Sequence, residues 1–170
     1  MSLARDLRTL TRNFGAHLLI NDRVDVALAV NADGVHLGQK SLPVDAVRQV
    51  AGSLLIGVSA HSLSEAREAE EGGADFITVG PVFDTPSKRM YGPPLGPDLL
   101  ARIVQAIHLP VFAIGGINLQ NLRDIASCGI SGVAVISAIL SAPSVFDATR
   151  NMASELQKLS VGQVDHPMVQ

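Results

Sequence analysis

A long polar loop with two hydroxyl groups and one ammonium group carries the strongest chemical signal in the sequence. It contains Thr85, Ser87 and Lys88 and lies between the apolar run 76–79 and Gly96. Hydroxyl donors and a point cation can surround the oxygens of phosphate or pyrophosphate. Because loops of this length are uncommon in compact domains unless they are functional, the loop predicts phosphate or pyrophosphate binding. The alternative is a solvated surface loop.

Two short turns later in the chain indicate the same chemistry. Gly115 and Gly116 follow one predicted strand, and Ile136 and Ser137 follow the next. Backbone N–H groups in such turns, with a helix N-terminus behind them, form the usual phosphate site of (β/α) barrels. We therefore expect a phosphate to bind at these residues, the alternative being that the glycines only allow a tight strand-to-helix turn.

Asn21 and Asp22 directly follow another predicted buried strand, so both side chains can reach the same face as the loops. Mg²⁺ binds to proteins through one or two carboxylates and leaves its other positions to phosphate and water. Asp22 is therefore a candidate magnesium ligand. An Asx turn or the N-cap of the next helix is an equally good interpretation of the pattern.

Ser59 and His61 follow a further strand, at a place where a general acid–base group would help catalysis. The sequence shows no partner carboxylate for His61, so a hydrogen-bonded loop histidine is an equal alternative. His36 lies inside a strand and is predicted to be a core histidine. Asp33 and Asp75 recur just before strands and are predicted to form turns on the opposite face.

The composition sets the class of protein. The chain has 170 residues, of which 47% are hydrophobic and 17% charged, which indicates a globular protein. Its net charge of -3 gives no basic surface for nucleic acid, and no apolar run is long enough to cross a membrane. The N-terminal residues lack the apolar core of a signal peptide, and the single Cys128 suits a reducing compartment. We therefore expect a cytoplasmic protein.

The elements that position these residues alternate between strands and helices. Strand starts recur about every 21 residues, near Gly34, Leu55 and Phe76 and again near Val111 and Gly132, as successive βα units would. The strands are continuous apolar runs, which is typical of parallel strands covered by helices. The predicted strands are 18–20, 34–38, 54–58, 76–79, 110–114 and 132–136, and the predicted helices are 2–14, 24–30, 43–50, 64–71, 97–107, 119–127 and 145–159.

This order predicts an α/β protein of the TIM (β/α) barrel type. Polar residues follow every strand, and a barrel brings those strand ends together on one face. A doubly wound sheet would instead concentrate function at one switch point. Six strands are found where a closed barrel needs eight, so we expect an N-terminally truncated barrel domain over 1–160 and a flexible tail at 161–170. The open sheet edges predict low stability or a homo-oligomer.

Six motifs in this order resemble the thiamine phosphate synthase family and its sister, the thiazole tautomerases. The resemblance runs from about residue 3 to residue 141, and the motifs are highly specific only when taken together. They are LINDRVD (19–25), ADGVHLGQ (32–39), GVSAHS (57–62), GPVF (80–83) with Thr85 and Lys88, AIGGI (113–117) and GVAVISAI (132–139).

The resemblance implies an enzyme of thiamine biosynthesis. With magnesium, such an enzyme joins an aminopyrimidine pyrophosphate to a thiazole phosphate: pyrophosphate leaves, and the thiazole nitrogen attacks a pyrimidine carbocation. Carried over by position, Asn21 and Lys88 would hold pyrophosphate, Asp22 would bind magnesium, and Ser59 would lie near pyrophosphate and pyrimidine. The thiazole phosphate would be held by Thr85, Ser87 and the backbone at Gly116, Ile136 and Ser137.

Two departures from the family pattern keep other functions open. A Gln-Leu-Arg-x-Lys segment that grips pyrophosphate has no counterpart here. Ser41, beside Lys40, stands where the family has its second magnesium carboxylate. A neutral hydroxyl is a poor ligand for Mg²⁺, and the positive charge of the lysine would repel the ion. Both changes favour the tautomerase, in which the histidine matching His61 moves protons on a thiazole carboxylate phosphate. A non-catalytic phosphate-binding paralogue is the remaining alternative.

Overall fold

The computed structural model describes residues 1–85 and 93–160. Within them the chain forms two compact units. The first contains Met1–Val79 and Ala106–Val111, and the second contains the described residues of Gly80–Gln105 and Phe112–Gln170. The predicted tail at 161–170 lies outside the described residues, and the single domain over 1–160 stays a prediction.

The first unit is built from four parallel strands and the helices that precede and connect them. Each strand pairs with the next in sequence, with Leu19 opposite Gly34, Gly34 opposite Leu55, and Gly57 opposite Phe76. Parallel strands require a crossover, and a helix provides each one here. The elements in order are α1 (Ser2–Asn13), β1 (Leu19–Asn21), α2 (Val24–Ala29), β2 (Gly34–Leu37), α3 (Val44–Ala51), β3 (Leu55–Ala60), α4 (Leu63–Glu71) and β4 (Phe76–Val79).

The core of the first unit consists of apolar side chains of the strands and helices, packed together and shielded from water. Val35 and Leu37 of β2 and Ile56 of β3 are almost wholly buried. They belong to one cluster that also contains Leu18, Ala27, Val30, Ala32, Val47 and Ala51. Because a shift of one residue would turn each strand's apolar side chains to the other face, this burial fixes the strand register and so the position of the polar residues.

Two aspartates hold the starts of neighbouring strands together. The carboxylate of Asp33 accepts a hydrogen bond from the backbone N–H of Leu18 at 2.7 Å and pairs with Arg8 of α1. Asp75 does the same for the backbone N–H of Ile56 at 2.7 Å and also binds an arginine side chain of α3. Both residues therefore join the sheet to its helices, away from the strand ends that carry the predicted site.

The second unit contains the remaining elements, apart from residues 106–111. Its two strands pair in parallel, with Phe112 opposite Gly132 and Ile114 opposite Ala134. Helix side chains such as Leu100, Ile103 and Ile125 are fully buried. The elements are α5 (Gly96–Ala106), β5 (Val111–Ile114), α6 (Leu122–Ala126), β6 (Gly132–Ala134), α7 (Ser137–Leu140) and α8 (Val145–Ser160).

Over residues 1–85 and 93–160, the structure confirms an α/β protein with six parallel strands, each within two residues of its predicted bounds. It adds a one-turn helix, α7, where only a turn was expected. Among the residues that the structure describes, no helix is both long enough and apolar enough to cross a membrane.

Candidate active site

A cluster of three polar side chains lies across the strands β2, β3 and β4. Nε2 of His36 is 2.9 Å from Oγ of Ser59. Oγ1 of Thr78 is 3.3 Å from the same imidazole nitrogen and 3.4 Å from Oγ of Ser59. Ser59 was predicted as a site residue. It contacts His36, which was predicted to be a core histidine, and Thr78, which the sequence did not single out. In an otherwise apolar sheet, such a cluster offers donors and acceptors to a polar ligand.

The imidazole of His36 is held neutral and in place by its surroundings. Burial lowers the pKa of His36 below its ordinary value, which favours the neutral ring at neutral pH. It packs against the ring of Phe76, with 5.9 Å between the centroids. Gly57 makes room for both rings, because a Cβ there would lie 2.2 Å from Cζ of Phe76 and 2.6 Å from Nδ1 of His36. The expected core histidine is therefore a half-buried member of a polar cluster.

Asn21 and Asp22 are exposed at the end of β1. The backbone N–H of Asp22 donates to the carbonyl of His36 at 2.8 Å, and Asp22 has a positive φ of 63°. The N-cap of α2 is Arg23, and no side chain caps this helix. Asp22 therefore does not cap the helix, and its carboxylate is available to a ligand.

The residues present fit a magnesium ion only in part. A magnesium ion that also binds a substrate phosphate needs as few as one protein carboxylate. Asp22 can supply that carboxylate. Oγ of Ser41, at the position of the missing second carboxylate, accepts the backbone N–H of Gly38 at 2.8 Å. Within residues 1–85 and 93–160, no three His, Cys, Asp or Glu side chains are grouped so as to hold a metal ion. A bound Mg²⁺ would thus depend on the substrate for most of its ligands.

His61 has the carboxylate partner that the sequence did not reveal. Nδ1 of His61 lies 3.1 Å from Oε2 of Glu65, and the backbone N–H of His61 donates to the same oxygen at 2.8 Å. The side-chain amide of Gln39 donates to Oε1 of Glu65 at 3.0 Å. Burial acts to raise the pKa of Glu65, but the hydrogen bonds from His61 and Gln39 outweigh it, and the pKa lies below its ordinary value. The carboxylate is therefore ionised at neutral pH.

In the second unit, two glycines allow the turn after β5 to lie directly against the segment after β4. Gly115 and Gly116 have φ values of 97° and 68°. A Cβ on Gly115 would lie 2.6 Å from Cα of Pro81, and one on Gly116 would lie 2.7 Å from the carbonyl oxygen of Asp84. Both positions require glycine for backbone conformation and for close approach. These values agree with the tight strand-to-helix turn that was the alternative for these glycines. Phosphate binding at the turn stays a prediction.

Ile136 and Ser137 follow β6, at the same edge as the two glycines. Ile114 and Ala134 are opposite each other in the paired strands, so the turns that follow them are neighbours. Both Ile136 and Ser137 are exposed, and Ser137 begins α7. The structure thus brings the two predicted phosphate turns of the second unit to one edge.

The polar loop between β4 and α5 is described only at its two ends. Thr85 is half-buried, whereas Ser87 and Lys88 lie outside the described residues. After the gap, the backbone N–H groups of Leu95 and Gly96 donate to the carbonyls of Pro81 and Val82 at 2.8 and 3.0 Å. These bonds tie the returning end of the loop to its beginning.

The described residues form an α/β protein whose parallel strands carry polar residues at or near their C-terminal ends. Comparison with known families identifies the group: the model described as thiamine monophosphate synthase matches residues 1–139. The chain belongs to this family of enzymes, as its motifs predicted.

Individual relatives agree with the family assignment. The thiamine-phosphate synthase of Chloroflexus aurantiacus is 50% identical over 88% of this chain and 69% of its own length. That of Methanospirillum hungatei is 46% identical over 89% of this chain and 74% of its own length. Among solved structures, the thiamine phosphate pyrophosphorylase of Pyrococcus furiosus superposes with a TM-score of 0.88 at 42% identity, over 93% of this chain and 76% of its own.

Proposed function

We propose that this chain is a thiamine phosphate synthase, which transfers the hydroxymethylpyrimidine group of its pyrophosphate ester to thiazole phosphate. The observation that carries the proposal is the 50% identity to a thiamine-phosphate synthase over 88% of the chain. The likeness in structure to a thiamine phosphate pyrophosphorylase supports it, as does the placing of polar residues after the strands. We also propose that the fold is of the barrel type, that the protein is cytoplasmic and that it assembles into a homo-oligomer.

Residues at the end of β1 would bind the pyrophosphate group of the substrate. Asn21 and Asp22 are exposed there, and Asn21 would donate its amide hydrogens to a phosphate oxygen. Asp22 would ligate Mg²⁺, which when bound neutralises charge on the departing pyrophosphate. Lys88 would supply a further positive charge to the same group.

The pyrimidine would be recognised by the cluster of Ser59, His36 and Thr78. Two hydroxyls and one neutral imidazole offer both donors and acceptors, which an aminopyrimidine ring requires on its edge. A charged histidine would repel the pyrimidine cation that the dissociative reaction implies. The lowered pKa of His36 therefore suits this chemistry.

The thiazole phosphate would be held in the second unit. Thr85 and Ser87 would donate their hydroxyl hydrogens, and the backbone at Gly115, Gly116, Ile136 and Ser137 would donate N–H groups to the phosphate oxygens. The edge position of both turns, which follow the paired strands β5 and β6, supports this arrangement.

A second candidate function, thiazole phosphate tautomerase, is favoured by the contact between His61 and Glu65. An imidazole with a carboxylate partner can move a proton on a bound substrate. This reaction needs neither pyrophosphate nor magnesium. A phosphate-binding paralogue without activity is the third candidate.

One assay separates the three candidates. The protein is mixed with hydroxymethylpyrimidine pyrophosphate and thiazole phosphate, with and without Mg²⁺, and thiamine phosphate and pyrophosphate are measured. The proposal expects both products only with Mg²⁺, and expects Asp22→Asn and Ser59→Ala to lower the rate by at least about tenfold. The matched controls Asp45→Asn and Ser64→Ala, at exposed positions of α3 and α4, should keep the wild-type rate.

Other outcomes assign the other functions. Isomerisation of a thiazole carboxylate phosphate, without formation of thiamine phosphate, would replace the synthase by the tautomerase. Binding of thiazole phosphate in isothermal titration with turnover of neither substrate would leave the non-catalytic paralogue.

A further inference from the structure

The carboxylate of Glu65 joins three segments of the first unit around one imidazole. Its Oε2 accepts the backbone N–H of His61 at 2.8 Å and lies 3.1 Å from Nδ1 of the same residue. Its Oε1 accepts the amide N–H of Gln39 at 3.0 Å. Gln39 follows β2, His61 follows β3, and Glu65 lies in the first turn of α4.

The donors and acceptors around the ring determine where its proton lies. An ionised carboxylate can only accept hydrogen bonds, so a nitrogen in contact with it must carry a hydrogen. When the imidazole is neutral, it has one N–H, and the contact with Oε2 places that hydrogen on Nδ1. The side-chain nitrogen of Gln39, 3.4 Å from Nδ1, can only donate and would favour an unprotonated Nδ1. It donates at the shorter distance of 3.0 Å to Oε1 of Glu65, and the charged Oε2 lies closer to Nδ1, at 3.1 Å, so the carboxylate determines the tautomer.

We infer that Glu65 is a positioning residue that holds His61 as the Nδ1–H tautomer, leaving Nε2 as a proton acceptor. The tautomer is a property of the protein alone. That His61 then accepts a proton from a substrate rests on the proposed function, in its tautomerase form.

Helix capping does not account for the whole arrangement. The backbone N–H of Glu65 donates to Oγ of Ser62, the N-cap of α4, at 3.2 Å. The backbone N–H of His61 donates in return to Oε2 of Glu65, an arrangement that resembles a capping box. A cap of this kind uses one carboxylate oxygen and no imidazole. The second oxygen is bound by Gln39, from a different loop, which fixes the plane of the carboxylate and so its direction toward Nδ1.

The cluster is also open to a ligand. The side chains of His61 and Glu65 are 29% and 33% exposed. Since Nδ1 faces the carboxylate, the other ring nitrogen is the one left for a substrate proton.

Nitrogen-15 NMR tests the inference directly. Long-range ¹H–¹⁵N correlation spectra of the labelled full chain distinguish Nδ1–H from Nε2–H in a neutral histidine, and they are recorded at rising pH until the ring signals stop changing. His61→Gln assigns the signals, since it removes one set from the spectrum. We expect the Nδ1–H form to predominate in the wild type. A predominant Nε2–H form would overturn the inference.

Two substitutions of Glu65 and one control complete the test. Glu65→Gln retains an oxygen that can accept hydrogen bonds from the backbone N–H and from Nδ1–H of His61, so the Nδ1–H form should persist. Glu65→Ala removes the acceptor, so the Nε2–H population should rise several-fold, and an unchanged spectrum would overturn the inference. Glu68→Gln, on the same helix and bonded to Ser64 at 3.2 Å, should change nothing. Glu65→Ala retains Ser62, the N-cap of α4, so the helix and the protein should still form.

The same variants keep the two proposals apart. If the chain is a tautomerase, Glu65→Ala should lower kcat more than it changes KM, and Glu65→Gln should recover part of the loss. If the wild type shows the Nδ1–H form and no tautomerase activity, the catalytic use of His61 fails while the positioning role of Glu65 stands.

Discussion

The carboxylate of Asp33 connects three parts of the first unit. It pairs with Arg8 of α1, accepts the backbone N–H of Leu18 at 2.7 Å, and lies 3.9 Å from Nδ1 of His17. Burial acts to raise the pKa of Asp33, but the hydrogen bonds from Arg8 and Leu18 outweigh it and lower the pKa. A carboxyl group with a lowered folded-state pKa stabilises the protein above its unfolded-state pKa, and this contribution is lost as the pH falls through the folded-state pKa.

We predict that Asp33→Asn lowers the free energy of unfolding by about 1.5–3 kcal/mol at neutral pH, because a neutral amide replaces a charged acceptor. The difference between wild type and variant should shrink as the pH falls below the ordinary aspartate value of 3.8. Urea unfolding at a series of pH values measures it. Asp45→Asn, at an exposed position of α3, is the control. A difference that stays constant in acid would show that the charge of Asp33 is not its source.

Gly57 is a second residue whose identity the packing requires. A Cβ at this position would lie 2.2 Å from Phe76 and 2.6 Å from His36. We predict that Gly57→Ala destabilises the protein by about 1–3 kcal/mol through overpacking and moves the His36 ring away from Ser59. At Gly38 the nearest atom to an added Cβ is 4.0 Å away, so Gly38→Ala should have a much smaller effect. Thermal unfolding compares the two, and equal losses would contradict the prediction.

The sequence located candidate site residues that immediately follow strands, and it missed their partners. Ser59 and His61 could be found because polar residues at those points interrupt an apolar pattern. Thr78 gave a similar signal inside the run 76–79, but its contacts depend on the spacing between strands. Glu65 lies four residues beyond His61, in a helix rich in acidic residues, and only the start of α4 turns its side chain back toward the loop.

At the scale of elements, the start of α4 depends on one hydroxyl. Oγ of Ser62 accepts the backbone N–H of Glu65 at 3.2 Å, and Ser62 has extended backbone angles, as N-caps do. In the sequence, either Ser62 or Ser64 is a candidate N-cap for the helix predicted over 64–71. The structure selects Ser62, because the helix begins at Leu63.

We predict that Ser62→Ala lowers the free energy of unfolding by about 1 kcal/mol, since one N–H of the first turn loses its acceptor. Ser64→Ala is the matched control, because Ser64 lies inside the helix and its hydroxyl donates to the exposed carboxylate of Glu68 at 3.2 Å. It should change stability by less than about 0.5 kcal/mol. Denaturant unfolding of the two variants decides between the serines, and a larger loss for Ser64→Ala would contradict the assignment.

Most elements could be predicted because apolar runs and their 21-residue recurrence are properties of the sequence alone. The bounds of α6 could not: a helix was expected over 119–127, whereas the structure has Leu122–Ala126. Asn118 and Asn121 account for the difference. Their side chains bind nearby backbone groups, including Oδ1 of Asn121 to the N–H of Asn118 at 2.9 Å, and so compete with the first helical turn.

At the scale of the whole molecule, exposed apolar side chains are concentrated in two places. In the second unit they are Ile136, Leu140, Val145 and Phe146. In the first unit, Leu3, Leu7 and Leu10 are exposed along α1, where none of the residues Ser2–Asn13, all of which the structure describes, is buried. Other exposed apolar side chains among the described residues include Leu28, Leu42, Val50 and Leu119. Exposed apolar side chains grouped on one helix favour association. The exposed apolar side chains, in addition to the open sheet edges, are therefore a physical reason to expect a homo-oligomer.

We predict that the protein self-associates with rising concentration and that α1 contributes to the contact. Leu3, Leu7 and Leu10 are 69%, 38% and 52% exposed and recur at helical spacing. Burying a leucine side chain stabilises by about 1.5–3 kcal/mol, so the triple change of these leucines to Gln should weaken association by more than about tenfold. Sedimentation velocity over a range of concentrations measures it. The same number of changes to Gln at Ser2, Thr9 and Asn13, polar and exposed on the same helix, should leave association unchanged. Equal behaviour of the two triple variants would exclude α1 from the contact, and a monomer at every concentration would exclude the oligomer.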